Sequence, residues 1–218
     1  SLRNAAALET AGAIARLRRD RAPGQSLERW RSLGPSGARF PGWKFSDVSG
    51  RISALARDPS GTLYVGGAAG GAWKSIDDGA SWTSLLDSSV TLSVGALAVD
   101  PNDARVLWAG TGDYNVSCDA YFGAGMLRSE DGGASWQLRN GSGSASLESV
   151  SSFAAIVVDP RDSQHVLAGA TSRGCRDGIR AAGGVFVTRD GGVSWVERLG
   201  GVAVHALVQD QQDRRVYW

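Results

Sequence analysis

The stretch Ser129-Glu-Asp131-Gly-Gly133-Ala-Ser135-Trp136 decides the fold, because its pattern of residue types occurs three times in the chain. The other two copies are Ser75-Ile-Asp77-Asp-Gly79-Ala-Ser81-Trp82 and Thr188-Arg-Asp190-Gly-Gly192-Val-Ser194-Trp195. All three fit the pattern (S/T)-x-D-x-G-x-S-W, and we call each copy the repeated turn. Their tryptophans are 54 and 59 residues apart, which suits a four-stranded unit with some loop insertions. The chain is therefore expected to be a repeat protein.

The residue types of the repeated turn predict how it folds. An aspartate side chain accepts backbone N–H bonds in a tight turn, a glycine supplies positive φ, and the hydroxyl groups add local bonds. The tryptophan that ends each copy is expected to start the next strand and to be buried in the core. These roles make the repeated pattern of Asp, Gly and Trp structural rather than catalytic.

The repeated turn resembles the Asp-box, or BNR repeat, of sialidase-like, xyloglucanase-like and sortilin-like β-propellers. The resemblance covers about residues 30–218 and implies an all-β protein made of four-stranded antiparallel blades with Asp-box turns. Propellers of this group include hydrolases, receptors and assembly factors, so the resemblance indicates a fold and leaves the activity open.

The blade boundaries follow from Asp turns that recur at the end of each first strand. These segments are RISALARDP (51–59), VGALAVDP (94–101), FAAIVVDP (153–160) and VAVHALVQD (202–210). We expect three complete blades at about 50–86, 93–139 and 151–199, and a partial fourth blade at 201–218. Residues 30–35 are predicted to be a closing strand and residues 1–29 a helical extension. Further C-terminal sequence or a second chain would supply the rest of the ring.

Composition excludes several classes of function. The 23 basic and 22 acidic residues nearly cancel, which argues against a general nucleic-acid binder. No apolar stretch approaches the roughly 18 residues needed to span a membrane. No motif for a cofactor or a metal site is recognised.

The two cysteines occupy comparable positions in neighbouring repeats. Cys118 and Cys175 are 57 residues apart, about one repeat length. One interpretation is a disulfide that joins adjacent loops in an oxidising compartment, and the alternative is two unrelated thiols. The first interpretation predicts an exported protein, extracellular or periplasmic.

Ligand-binding residues are expected in the long loops between the second and third strands of blades 2 and 3. These loops are GDYNVSCDAYFGAG (112–125) and SRGCRDGIRAAGG (172–184). Arg51 is a further candidate, because serine or alanine stands at its position in the other repeats. The alternatives are loops stabilised by their own ion pairs, and an Arg51 that bonds a neighbouring loop. The candidate ligand-binding residues are Arg51, Tyr121, Arg173, Arg176 and Asp177.

Catalytic residues are harder to find. Asp113 and Asp119 are weak candidates for a glycosidase carboxylate pair or for calcium ligands. The sialidase pattern is missing, since only Arg51-Ile52-Ser53 faintly resembles its early motif. The xyloglucanase motif would align its catalytic Asp with Ala68. The sequence therefore favours a non-catalytic propeller that binds a glycan or a protein. The alternative is a sialidase-like or xyloglucanase-like glycoside hydrolase whose catalytic residues lie largely in a missing C-terminal half.

Overall fold

A computed structural model describes residues 50–114, 121–150, 152–171 and 183–210, together with residue 213. The expected helix within residues 1–29 and the expected closing strand at 30–35 lie outside these ranges. Cys118 and Cys175 also lie outside them, so the proposed disulfide stays a prediction. No helix in the described part of the chain has the length and hydropathy of a membrane span.

The described residues form three four-stranded antiparallel sheets, each built from strands that are consecutive in the chain. We call these sheets blades 1, 2 and 3, because they pack side by side as the blades of a β-propeller do. Blade 1 consists of β1 (Ile52–Arg57), β2 (Leu63–Gly67), β3 (Gly71–Ser75) and β4 (Thr83–Ser84). Blade 2 consists of β5 (Val94–Val99), β6 (Leu107–Thr111), β7 (Met126–Ser129) and β8 (Gln137–Leu138). Blade 3 consists of β9 (Phe153–Asp159), β10 (Asp162–Ala170), β11 (Gly184–Thr188) and β12 (Val196–Gly200).

Apolar cores fill the spaces between neighbouring blades. Between blades 1 and 2 the buried residues include Ala72, Leu86 and Val94. Trp108 and Phe153 are fully buried in the core between blades 2 and 3. Two short 3-10 turns, Gly143–Ala145 and Leu147–Ser149, connect these two blades. The all-β propeller fold expected from the sequence is thus present, with very little helix among the described residues.

Each repeated turn links the third and fourth strands of its blade through the same set of hydrogen bonds. In blade 1, Ser81 donates its backbone N–H to Asp77 Oδ1 at 2.8 Å and its hydroxyl to Asp77 Oδ2 at 2.6 Å. The backbone N–H of Gly79 donates to Ser75 Oγ at 2.8 Å, and Gly79 has a φ of 89°. The copies in blades 2 and 3 repeat these bonds. The turn therefore supplies its own polar partners, as its residue types predict.

The tryptophans of the three turns differ in burial, so the expectation that all three are buried is wrong. Trp195 is only 4% exposed and Trp136 is half-buried, whereas Trp82 is 39% exposed. Trp195 donates its indole N–H to Arg139 O at 2.7 Å, and Trp136 donates to Leu85 O at 2.9 Å. Each acceptor belongs to the preceding blade, and within the described residues no blade precedes Trp82.

The expected first strand of a fourth blade is not formed as a strand. Residues 202–208 have no regular structure, and Gln209 makes only an isolated bridge. A strand is stable only beside a partner strand. The expected partner at 215–218 lies outside the described residues.

Candidate functional site

The candidate site lies at the edge of the blades where the first strands begin and the second strands end, which we call the upper edge. There, Ala68 donates its backbone N–H to Arg51 O at 3.0 Å, Gly112 to Ser93 O at 2.9 Å, and Thr171 to Ser152 O at 3.1 Å. These three bonds show that Arg51, Ser93 and Ser152 occupy equivalent positions. Arginine therefore replaces serine at this position in blade 1, directly before β1.

Arg51 forms an ion pair with Asp113, which stands two residues after the end of β6, the second strand of blade 2. The Asp113 side chain is 0% exposed, whereas that of Arg51 is 51% exposed. The backbone N–H of Asp113 also donates to Tyr121 O at 2.9 Å, across the base of the long loop. Asp113 thus fixes both ends of this loop and joins blade 2 to blade 1. Arg51 bonds a neighbouring loop, which is the alternative role left open by the sequence.

The geometry around Asp113 argues against its use as a catalytic carboxylate. A glycosidase needs one carboxyl group that protonates the leaving oxygen and a second one that acts as base or nucleophile. Asp113 is buried and already bonded to a guanidinium group, so it offers no oxygen to a sugar at the surface. Its weak partner candidate, Asp119, lies outside the described residues. Asp113 has a positioning role in this structure.

Ala68 lies beside this ion pair, directly after β2. It is buried, and its carbonyl oxygen accepts the hydroxyl hydrogen of Ser93 at 2.7 Å. The xyloglucanase resemblance aligns this position with a catalytic aspartate. An alanine methyl group can neither donate nor accept a proton, so this position carries no acid–base chemistry.

Two exposed aromatic side chains lie where the long loop of blade 2 returns to the sheet. Tyr121 is 60% exposed and Phe122 is 57% exposed. Aromatic side chains offer large apolar faces, so these two adjacent residues are the exposed aromatic candidates for a binding surface on this loop. Of the other ligand-binding candidates, Arg173, Arg176 and Asp177 lie outside the described residues, so blade 3's contribution stays a prediction. Within the described ranges, no three His, Cys, Asp or Glu side chains are placed to hold a metal ion.

The opposite, lower edge carries the repeated turns and is built for stability. Hydrogen bonds from Ser81 and Ser135 lower the pKa of Asp77 and Asp131 to about 2, from an ordinary value of 3.8. Burial acts to raise the pKa of Asp190, but the bonds from Ser194 outweigh it, and this pKa is also about 2. These carboxylates are fully used as acceptors within their own turns.

Besides the Arg51–Asp113 pair, a polar cluster that was not predicted from the sequence lies at the lower edge of blade 3. Asp159 accepts hydrogen bonds from Arg161 Nε and Nη2 at 3.0 and 2.7 Å, and His165 Nδ1 lies 3.2 Å from Asp159 Oδ2. The bonds from Arg161 hold the pKa of Asp159 far below its usual range, although burial opposes the shift. The sequence signal was present, because Arg161 follows Asp159 by two residues, as Arg105 follows Asp103.

No family model matches the chain. In sequence it is 27% identical over 205 residues to a xyloglucanase of Hypocrea jecorina, a match that covers 89% of this chain and 22% of that protein. It is 32% identical over 99 residues to an oligoxyloglucan-reducing end-specific xyloglucanase of Emericella nidulans, covering 45% of this chain and 10% of that protein. The chain therefore spans less than a quarter of the length of these curated relatives.

Two solved structures of similar fold are also glycoside hydrolases, of the group GH74. The structure of an ancestral GH74 enzyme superposes with a TM-score of 0.58 at 25% identity, over 77% of this chain and 21% of that one. The GH74 enzyme of Niastella koreensis superposes with a TM-score of 0.52 at 24% identity, over 74% and 25% of the two chains. The chain is thus similar in sequence to xyloglucanases and in fold to the propellers of GH74 enzymes.

Proposed function

We propose that this chain is part of a glycoside-hydrolase-type propeller, exported from the cell, that recognises glucans of the xyloglucan class. The observation that carries the proposal is the match to a xyloglucanase over 89% of the chain, supported by the likeness to an ancestral GH74 enzyme. Because the chain covers only 22% of that relative, hydrolysis would be a property of a longer protein. The repeated turns are proposed to be Asp-box turns.

Within this proposal, the upper edge contributes substrate binding. Tyr121 and Phe122 supply exposed aromatic faces against which sugar rings can pack. The Arg51–Asp113 pair holds the base of their loop against blade 1, so the aromatic pair is presented from a fixed position. Pre-organisation of this kind lowers the entropy lost on binding. Arg173, Arg176 and Asp177 are proposed to extend the same surface.

Affinity electrophoresis of the 218-residue chain in gels containing xyloglucan tests this proposal. We expect retardation that Tyr121→Ala or Phe122→Ala weakens about tenfold, since each removes roughly 1.4 kcal/mol of contact energy. Ile76→Ala is the matched control, because Ile76 is an exposed apolar residue in the repeated turn of the lower edge. Retardation that is absent, or that Ile76→Ala reduces equally, would contradict the upper edge as a glucan-binding surface.

A second candidate is a propeller that binds a glycan or protein and has lost catalysis. The specific observation in its favour is Ala68, which stands where the resemblance places a catalytic aspartate, together with the buried state of Asp113. A reducing-sugar assay of a longer protein that contains this chain, on a panel of glycosides, distinguishes the candidates, because only the first one predicts turnover there. We expect no turnover by this chain. Sugar release that disappears in Asp113→Asn would overturn the positioning role of Asp113 and support hydrolysis at the upper edge.

A further inference from the structure

The long loop of blade 2 ends in a short segment that passes between two polar side chains, Thr111 and Asn140. A Cβ atom added to Gly123 would lie 2.4 Å from Thr111 Oγ1, and one added to Gly125 would lie 1.9 Å from Asn140 Oδ1. The segment is therefore packed so closely on both sides that neither glycine position admits a methyl group. It begins directly after Phe122, the second residue of the exposed aromatic pair.

These two side chains pair four backbone groups of the segment. The Thr111 hydroxyl accepts the backbone N–H of Ala124 at 2.7 Å and donates to Gly125 O at 2.6 Å. Asn140 Oδ1 accepts the backbone N–H of Met126 at 2.8 Å, and Asn140 Nδ2 donates to Ala124 O at 2.9 Å. A reversed amide would set its NH2 group against an N–H and its oxygen against a carbonyl. The two bonds therefore fix the orientation of the Asn140 side chain.

The backbone that carries Asn140 is itself well anchored. Its carbonyl oxygen accepts the backbone N–H of Leu147 at 2.8 Å, and Leu147 is fully buried in the core between blades 2 and 3. The preceding residue, Arg139, donates its backbone N–H to Met126 O at 2.8 Å, which extends the pairing of β7 with β8. The side chain that holds the end of the loop thus projects from a well-packed part of blade 2.

Asparagine stands at this place only in blade 2. Asn140 follows the tryptophan of its repeated turn by four residues, and at the same distance blades 1 and 3 have Leu86 and Leu199. Leu86 is buried among the apolar residues between blades 1 and 2. The amide of Asn140 is therefore no general requirement of a blade, and both of its bonds go to the returning end of the long loop.

We propose that Asn140 is a positioning residue of the upper edge, which holds the end of this loop so that Tyr121 and Phe122 are presented from one fixed place. This role rests on the proposed function, because the aromatic pair is the glucan-binding surface proposed there. Asp113 fixes the other end of the pair, through its backbone N–H bond to Tyr121 O at 2.9 Å. Asn140 supplies the matching restraint two residues after Phe122, at Ala124 O.

A carboxylate in place of the amide isolates this role. Asn140→Asp keeps Oδ1 as the acceptor for the Met126 N–H, but an ionised carboxylate has no hydrogen to donate. It would also set a negative charge against Ala124 O, which now accepts the Nδ2 hydrogen at 2.9 Å. The segment would then open towards water to find partners for its backbone groups. The aromatic pair would gain freedom that has to be removed again on binding, so affinity would fall.

Limited proteolysis with chymotrypsin, which cleaves after aromatic residues, tests whether Asn140 holds the loop end. We expect cleavage after Tyr121 and Phe122, identified by mass spectrometry, to be about tenfold faster in Asn140→Asp, because proteolysis follows the population of the open form. Asn102→Asp is the matched control, since it makes the same change of charge at the lower edge, where Asn102 Nδ2 donates to Ser163 Oγ at 3.2 Å. It should leave this cleavage unchanged.

Asn140→Leu is a second variant that keeps the test valid if the carboxylate impairs folding. Leucine is the residue that blades 1 and 3 have at this place, so it is compatible with the packing of a blade. It removes both side-chain bonds and should likewise speed cleavage after Phe122.

Affinity electrophoresis in xyloglucan gels, referred to the same protein in gels without xyloglucan, measures the consequence for binding. We expect Asn140→Asp to weaken retardation about tenfold, well below the temperature of unfolding, and Asn102→Asp to leave it unchanged. In a chain that already carries Tyr121→Ala and Phe122→Ala, Asn140→Asp should have less than about a twofold further effect, because it acts through these two residues. A merely structural role would weaken retardation by the same factor in both backgrounds.

Three outcomes would overturn the role of Asn140. One is cleavage of Asn140→Asp that is no faster than that of Asn102→Asp. Another is faster cleavage with unchanged retardation, and the last is a weakening that is equal with and without the aromatic pair. A wild-type chain that xyloglucan does not retard would instead contradict the proposed function, and the cleavage comparison alone would then decide whether Asn140 holds the loop.

Discussion

Blade 1 and blade 3 contain the same repeated turn in different surroundings. Asp77 and Asp190 accept equivalent hydrogen bonds within their turns, and Gly79 and Gly192 have φ values of 89° and 87°. Yet Trp82 is 39% exposed and Trp195 only 4%. The backbone of the turn is thus decided by its own eight residues, whereas the burial of its tryptophan is decided by the preceding blade.

The largest test of this comparison is the truncation of each tryptophan. Trp195→Ala should lower the free energy of unfolding by about 3–5 kcal/mol, because it opens a cavity in the core between blades 2 and 3. Trp82→Ala should cost about 1 kcal/mol, since much of that ring already contacts solvent. Urea unfolding of the two variants measures the difference. Equal losses would contradict the dependence of burial on the preceding blade.

Trp195→Phe is the control that separates packing from hydrogen bonding. It keeps an aromatic ring in the core but removes the indole donor to Arg139 O. A buried acceptor left without its donor costs about 1–3 kcal/mol, so this variant should lie between Trp195→Ala and the wild type.

Alanine at the glycines of the turns gives a sharper comparison. At Gly79 and Gly192 the positive φ alone should cost about 1–2 kcal/mol. At Gly192 the added Cβ would also lie 2.8 Å from the Arg139 Cβ and 3.0 Å from the Trp108 ring, whereas at Gly79 its nearest neighbour is Trp82 at 3.5 Å. Overpacking should therefore make Gly192→Ala about 1–3 kcal/mol worse than Gly79→Ala by urea unfolding. A larger loss at Gly79 would refute this order.

The aspartates should show no such difference between blades. Asp77→Ala and Asp190→Ala each remove bonds made inside a turn at the surface, so their melting temperatures should fall together, by no more than about 4 °C. Differential scanning fluorimetry measures both. A loss at Asp190 several times that at Asp77 would mean that the neighbouring blade also stabilises the turn.

The smallest expected effect is a shared dependence on pH. The pKa values of about 2 at Asp77, Asp131 and Asp190 lie below the ordinary value of 3.8. The unfolded chain therefore takes up these protons at higher pH than the folded chain, and stability is lost as pH falls from about 4 to about 2. Urea midpoints should be independent of these groups above about pH 5. Urea midpoints that rise as the pH is lowered from 4 to 2 would contradict this prediction.

The features that could be predicted from the sequence are those that depend only on residues close together in the chain. The turn bonds of Asp131 and the alternation of the strands follow from residue type and spacing. The exposure of Trp82 could not be predicted in this way, because it depends on which surface the adjoining blade presents. The partner of Arg51 could not be predicted from the sequence either, because Asp113 is 62 residues away in the chain and many loop carboxylates were possible partners.

The glycines of the second strands have a consequence for the angle between blades. Gly66 and Gly110 bring their strands so close to the next blade that a single methyl group would not fit. Along the outer strands, by contrast, an entire indole ring of Trp136 or Trp195 separates the neighbours. Each blade is therefore a wedge, thin towards the first strands and thick towards the fourth. The taper of that wedge sets the rotation from one repeat to the next, and so the number of repeats that closes a circle.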